Sequence, residues 1–179
     1  MTELRRGEVP LDAAALIARL GLAPHPREGG YFVETYRSDE RITRGALPAR
    51  YGAERTLGTA IYYLLTPSTF SEMHCLASDE IFHFYLGDPV EMLLLRADGS
   101  GEEFVLGTEI AAGMRPQLVV PCGVWQGARL RAEGRFALLG TTVAPGFEYA
   151  DFETGARAEL LAAYPAHAPM ILALTRVVV

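Results

Sequence analysis

From Thr59 onward the chain alternates short β-patterned runs with turns, and that rhythm confines it to a sandwich or barrel. The runs predict strands over Thr59–Leu65, Phe70–Leu76, Ile81–Leu86, Val90–Arg96, Glu103–Leu106, Gln117–Val120, Val124–Leu130 and Phe136–Val143. Turn chemistry separates them at Thr66-Pro67, Gly87-Asp88-Pro89, Asp98-Gly99, Ala112-Gly113, Pro121-Cys122-Gly123 and Glu133-Gly134. Many short strands at such spacing are the signature of an all-β fold. Before them, Leu11, Ala14, Ala15, Ile17, Ala18 and Leu20 share one face of a helix over residues 11–21 that stops at Gly21. His25-Pro26 and Gly29-Gly30 break the chain ahead of an extended run, Tyr31–Tyr36. Residues 38–58 read as a polar, arginine-rich loop, and 154–163 as a short closing helix ended by Pro165. The apolar tail Met170–Val179 reads as β-prone, an edge in want of a partner.

Composition removes several function classes. The chain has 179 residues, long enough to bury a core as one domain. A net charge of -6 argues against nucleic-acid binding. Every side-chain cation apart from histidine is arginine, so no lysine Schiff base can form. Two cysteines, Cys75 and Cys122, are too few for a disulfide framework and read as packing thiols. No apolar run reaches the length of a membrane span, and Met1–Pro10 lacks a signal region, so a cytoplasmic protein is expected.

The chemistry concentrates between His74 and Gly87. His74 and Glu80 flank a short turn inside β-patterned sequence, and a hairpin would point both side chains into one cavity. His83, three residues past Glu80, belongs on the opposite face, with a structural or interface role. Phe82 and Phe84 share the face of Glu80 and are expected to give the cavity an aromatic wall. Adjacent Tyr62 and Tyr63 must point to opposite sides, and one of them, with Tyr63 taken as the candidate, would offer its hydroxyl to the cavity. Arg37, Arg41, Arg44, Arg50 and Arg55 crowd into a short segment. Such guanidinium groups suit carboxylate or phosphate recognition, including a nucleotide diphosphate, with Arg37 and Arg55 as ligand-binding candidates; a solvated loop is the alternative. His25 and His167 sit beside prolines and need no special role.

The stretch around His74 resembles the first cupin motif, G-x5-H-x-H-x3/4-E-x6-G, with Leu76 in place of the second histidine and Ser68 in place of the leading glycine. Pro121-Cys122-Gly123-Val124-Trp125-Gln126 resembles the second, keeping its P-x-G turn and setting Gln126 where a metal-binding histidine would stand. Gly29-Gly30-Tyr31-Phe32, Thr59–Leu65, the run from Ser78 to Gly87 and Val143–Glu148 extend the likeness to one RmlC-like jelly-roll family long catalogued as a domain of unknown function. The resemblance implies a single cupin domain over 1–179: the N-terminal helix (11–21), a jelly-roll core (31–150) and a C-terminal segment (151–179). It also implies a dimer, with Gln126 facing inward.

A cupin metal site wants two or three imidazoles and a carboxylate. This chain offers His74, Glu80 and Gln126, so no resident cofactor is expected, and any divalent metal would be held weakly by those three. The leading expectation is metal-independent acid–base chemistry on a small polar molecule, a sugar or nucleotide-sugar derivative, with His74 as acid or base, Glu80 orienting it and Tyr63 assisting. The resemblance to dTDP-sugar epimerases motivates it. Two rivals are a non-catalytic binding or sensing module and a metal-dependent oxygenase or isomerase with a reduced ligand set.

Overall fold

A computed structural model describes residues 11–176. Helix α1 (Ala13–Leu20) opens it: the Asp12 Oδ1 accepts from the Ala15 N–H at 2.8 Å, and Gly21 ends the helix at φ 65°. The strands follow as β1 (Ala23–Pro24), β2 (Tyr31–Arg37), β3 (Arg41–Ile42), β4 (Arg55–Thr56), β5 (Thr59–Leu65), β6 (Phe70–Leu76), β7 (Asp79–Gly87), β8 (Val90–Leu95) and β9 (Gly101–Leu106). Then come β10 (Gln117–Val120), β11 (Trp125–Leu130), β12 (Ala137–Ala144) and β13 (Phe152–Thr154), with helices α2 (Arg157–Ala163) and α3 (Ala168–Ala173) closing.

Two antiparallel sheets face one another as a jelly-roll sandwich. The first runs β1-β2-β5-β12-β7-β10, the second β13-β6-β11-β8-β9. Their inner faces meet in a core that includes Tyr63, Leu65, Phe82, Phe84, Met92, Leu94, Phe104, Leu106 and Leu139. The alternation of β7 explains the split: Glu80, Phe82 and Phe84 are buried while Asp79 and Tyr85 are exposed. On the outer face of the first sheet, Leu16 and Leu22 pack on Leu64, Phe136 and Leu138. On the outer face of the second, Leu160, Tyr164, Met170, Ile171 and Leu174 cover Met73, Leu93 and Leu95. Each such side chain, fully buried, contributes about 1.5–3 kcal/mol.

The tail corrects the sequence reading. Its described part is helix α3, with no edge strand, because Pro169 starts a turn in which Met170, Ile171 and Leu174 fall on one face and dock on the second sheet. Burial of that face overrides the local β preference. Val177–Val179 lie outside the described residues. Run 31–36 is β2, an inner strand of the first sheet, bordered by β5 and in part by the two-residue β1.

Candidate functional site

One end of the sandwich is filled by the core and the other is hollow. The cavity, of about 160 Å³, opens between the sheets and is floored by His74, Leu76 and Glu80. His74 comes from β6 and Glu80 from β7, so the hairpin does bring the pair together. The His74 Nδ1–H donates to the Glu72 carbonyl at 2.7 Å, which turns Nε2 toward Glu80. Nε2 and Oε2 lie 3.8 Å apart, an ion-pair distance too long for a hydrogen bond. The ring stacks on Phe152, 4.9 Å between centroids and 14° between planes. From β11, the Gln126 Nε2 donates to the same Glu80 oxygen at 2.7 Å, while its Oε1 has no partner among the described residues.

Two groups that sequence reasoning missed complete this arrangement. Gly29 and Gly30 hold φ 97° and 70°, and a Cβ on Gly29 would lie 2.4 Å from the Phe70 carbonyl oxygen. Only glycine fits there, and the tight turn it makes swings His25 and Glu28 to the cavity wall. The Glu28 carboxylate accepts from the Ser71 hydroxyl at 2.5 Å. His25 Nδ1 accepts the Glu28 N–H at 2.8 Å, so the neutral ring carries its proton on Nε2. His25-Pro26 and the Gly-Gly pair signalled this turn in the sequence, but they named no chemistry.

The electrostatics separate the two histidines. Burial by itself would lower the His74 pKa, but Glu28 and Glu80, with the Glu72 carbonyl, outweigh it and raise the value to about 9. Burial lowers the His25 pKa, against the pull of Glu28. At neutral pH the cavity therefore holds a charged imidazolium at its floor and a neutral imidazole on its wall.

Other expected groups fall elsewhere. Phe82 and Phe84 point inward but pack in the filled half of the core; the cavity's aromatic lining is Phe32, Phe147, Tyr149 and Phe152 instead. The alternation was right, but it could not tell which depth of the sandwich is hollow. Tyr63 faces the interior and Tyr62 the outside, where it meets Tyr85 edge-on. The Tyr63 hydroxyl, however, donates to the Gly29 carbonyl at 2.8 Å and is absent from the cavity lining. Burial, then the nearby Glu28, pushes its pKa well above 10, so that proton stays in place. His83 lies on the outer face, against Thr142 and stacked on Tyr85.

The arginines are mostly structural. Arg55 is 3% exposed and makes a double hydrogen bond to Asp151, both 2.6 Å. Arg41 pairs with Glu54, and Arg44 and Arg50 bond backbone carbonyls. Arg37 alone of the group lines the cavity, at its rim, tied to Glu34 at 2.8 Å and Glu148 at 3.1 Å. The expectation that Arg55 meets a ligand is thus corrected: its charge is consumed by Asp151.

Comparison with known proteins identifies the lineage. The family model described as Cupin superfamily (DUF985) matches residues 14–155. The chain belongs to this cupin family. Protein YML079W of Saccharomyces cerevisiae, itself uncharacterized, is 33% identical over 153 residues, which is 80% of this chain and 75% of the yeast protein. A hypothetical protein from Leishmania major superposes with a TM-score of 0.83 at 31% identity, covering 93% of this cupin and 100% of that chain. Protein SO0799 from Shewanella oneidensis does so with a TM-score of 0.80 at 34% identity, covering 93% and 98%.

Cupins commonly hold a metal at this floor, and the residues of this one do not fit that task. Leu76 puts an apolar side chain where a second imidazole would coordinate. Gln126 presents its N–H to Glu80, which leaves no lone pair on that side for a cation. Among the described residues no group of three or more histidine, cysteine or acidic side chains is placed to hold an ion.

Proposed function

We propose that this cupin binds a small polar molecule in the cavity and transfers a proton to or from it through His74, without a metal. One observation carries the reading: the His74 imidazole is buried at the cavity floor, fixed at Nδ1 by its own strand and faced at Nε2 by Glu80. Fixing one nitrogen leaves the other as the single exchangeable site, directed at the carboxylate and the space beside it. The raised pKa makes the resting group an acid, and Glu28 and Glu80 stabilise its charge. Epimerisation or isomerisation of a small polar substrate is the reaction class this arrangement supports best. A nucleotide diphosphate draws no support from the arginines, since four of the five are engaged away from the cavity.

A binding module without chemistry is the second reading, favoured by the withdrawal of Tyr63, whose hydroxyl is spent on the Gly29 carbonyl instead of facing the cavity as an opposing acid. Solvent exchange separates the two. In D2O, compounds that stabilise the protein against heat are incubated with it and followed by NMR. The catalytic reading expects deuterium to enter a carbon position, with loss of at least a hundredfold in rate for His74→Gln. Binding without exchange at any carbon overturns it in favour of the module. We also propose a homodimer joined through the outer face of the first sheet, where Tyr36, Tyr85 and Val119 are about half exposed.

A further inference from the structure

We infer that the ligand of this cavity is a small organic ammonium, seated with its charge between Glu28 and Glu80 and its carbon skeleton against the aromatic rings. The inference rests on the proposed small-molecule pocket and names the class of its occupant. Four carboxylates line the cavity, Glu28, Glu34, Glu80 and Glu148, against one guanidinium, Arg37. An anionic ligand would enter against that field. Arg37 cannot recruit one, because its Nε and both terminal nitrogens are already taken by Glu34, Glu148 and the Phe147 carbonyl.

The inner pair of carboxylates differs from the outer pair. Glu34 and Glu148 share the Arg37 guanidinium, a charge that never leaves. Glu28 and Glu80 have, among the described residues, the His74 proton as their facing charge, and that charge can leave. Beside them, Gln126 gives its N–H to Glu80 and keeps a buried Oε1 with no donor among the described residues. The floor is therefore short of donors, which a protonated primary amine supplies several at a time, whereas a quaternary ammonium brings the charge alone. The walls fit the same guest. Phe32, Phe147, Tyr149 and Phe152 line the cavity, an aromatic surface against which the carbon skeleton of an organic ammonium packs. A bare metal ion gains little from such walls and finds too few ligands.

The mechanism has a signature that distinguishes it from simple attraction. A cation arriving between Glu28 and Glu80 replaces the charge of His74, so binding releases a proton from that ring. Matched probes test this: ethanolamine against ethylene glycol, choline against 3,3-dimethylbutan-1-ol, with glycolate and inorganic phosphate as anions. Binding is read from the His74 ring resonances, and proton release from calorimetry at pH 7.5 in buffers of different ionisation enthalpy. The expected result is that an ammonium binds at least tenfold tighter than its neutral isostere. It should release a fraction of a proton from the protein but none from His74→Gln, and weaken at least tenfold in Glu28→Gln shown by circular dichroism to be folded. Neutral or anionic probes shifting His74 as well as the ammoniums do would overturn the inference while leaving the pocket reading intact. Ammonium binding without proton release overturns the seat between Glu28 and Glu80. Ammonium binding with proton release but no carbon exchange in D2O upholds the inference and defeats only the catalytic reading.

Discussion

At the scale of single residues, the site is a balance between burial and charge at His74. The folded pKa stands near 9 against an ordinary 6.5, so the native state holds the proton more tightly than the unfolded chain. That contribution is complete below about pH 6.5 and disappears as pH climbs through about 9, for a total of about 3 kcal/mol. We expect the gap in unfolding free energy between the protein and His74→Gln to shrink by that order from pH 6 to pH 10. Denaturant titrations at a series of pH values check it, and a gap independent of pH would contradict the charge on His74. His25 works in the opposite sense: its lowered pKa costs stability as pH falls below 6.5. The same residues govern metal content. Protein purified at neutral pH without chelator is expected to hold well under one equivalent of transition metal, because Leu76 and Gln126 replace two imidazoles. Elemental analysis giving a stoichiometric metal, lost in His74→Ala, would reverse this. The meeting of His74 with Glu80 was legible because strand alternation is a local rule. The arrival of Glu28 was not, since it depends on a turn that docks on β6 from 43 residues away in sequence.

At the scale of elements, strands were far more readable than what lies between them. Thr59–Leu65, Phe70–Leu76 and Gln117–Val120 match their expected limits, because a turn with glycine or proline bounds each run on at least one side. Segment 38–58 hid its structure. Rather than an open loop of free arginines, it carries the β3–β4 pair, a fully buried Tyr51 bonded to Ser78 at 2.9 Å, and the Arg55–Asp151 bridge. A guanidinium reads the same in sequence whether it awaits a phosphate or locks two segments, and only its tertiary partner decides. Both charges of the bridge are at most 5% exposed, so removing one strands the other in a poor dielectric. Arg55→Met should cost about 3–5 kcal/mol, while Arg55→Met with Asp151→Leu should recover most of that loss. Thermal and urea unfolding of the three proteins measure it. Equal destabilisation in the single and double variants would show that the segment needs Arg55 for its packing alone.

At the scale of the whole molecule, the two sheets are dressed unequally. Helices α2 and α3 cover the outer face of the second sheet, but α1 covers only one end of the first. The uncovered part presents Tyr36 at 56%, Tyr85 at 48% and Val119 at 50% exposure, a mixed aromatic surface of the kind that two-fold dimers bury. Light scattering at micromolar concentration should give twice the 19.5 kDa chain mass, and Tyr85→Arg with Val119→Asp should return the monomer. A wild-type monomer would remove the interface from consideration. The tail, read from sequence as the dimer edge, instead turns back to the cavity. The Arg176 backbone N–H and guanidinium both reach Glu72, whose carbonyl orients His74, and the same guanidinium bonds the carbonyls of Arg27 and Glu28. Arg176 lies 104 residues beyond Glu72. During synthesis the ribosome delivers every wall of the cavity, from His25 to Phe152, before it delivers the residue that ties two of those walls together. In a chain made from its N-terminus, the fastening thus follows the parts it fastens, and the contacts that tie the Glu72 strand to the Arg27–Glu28 turn form only once Arg176 has been added.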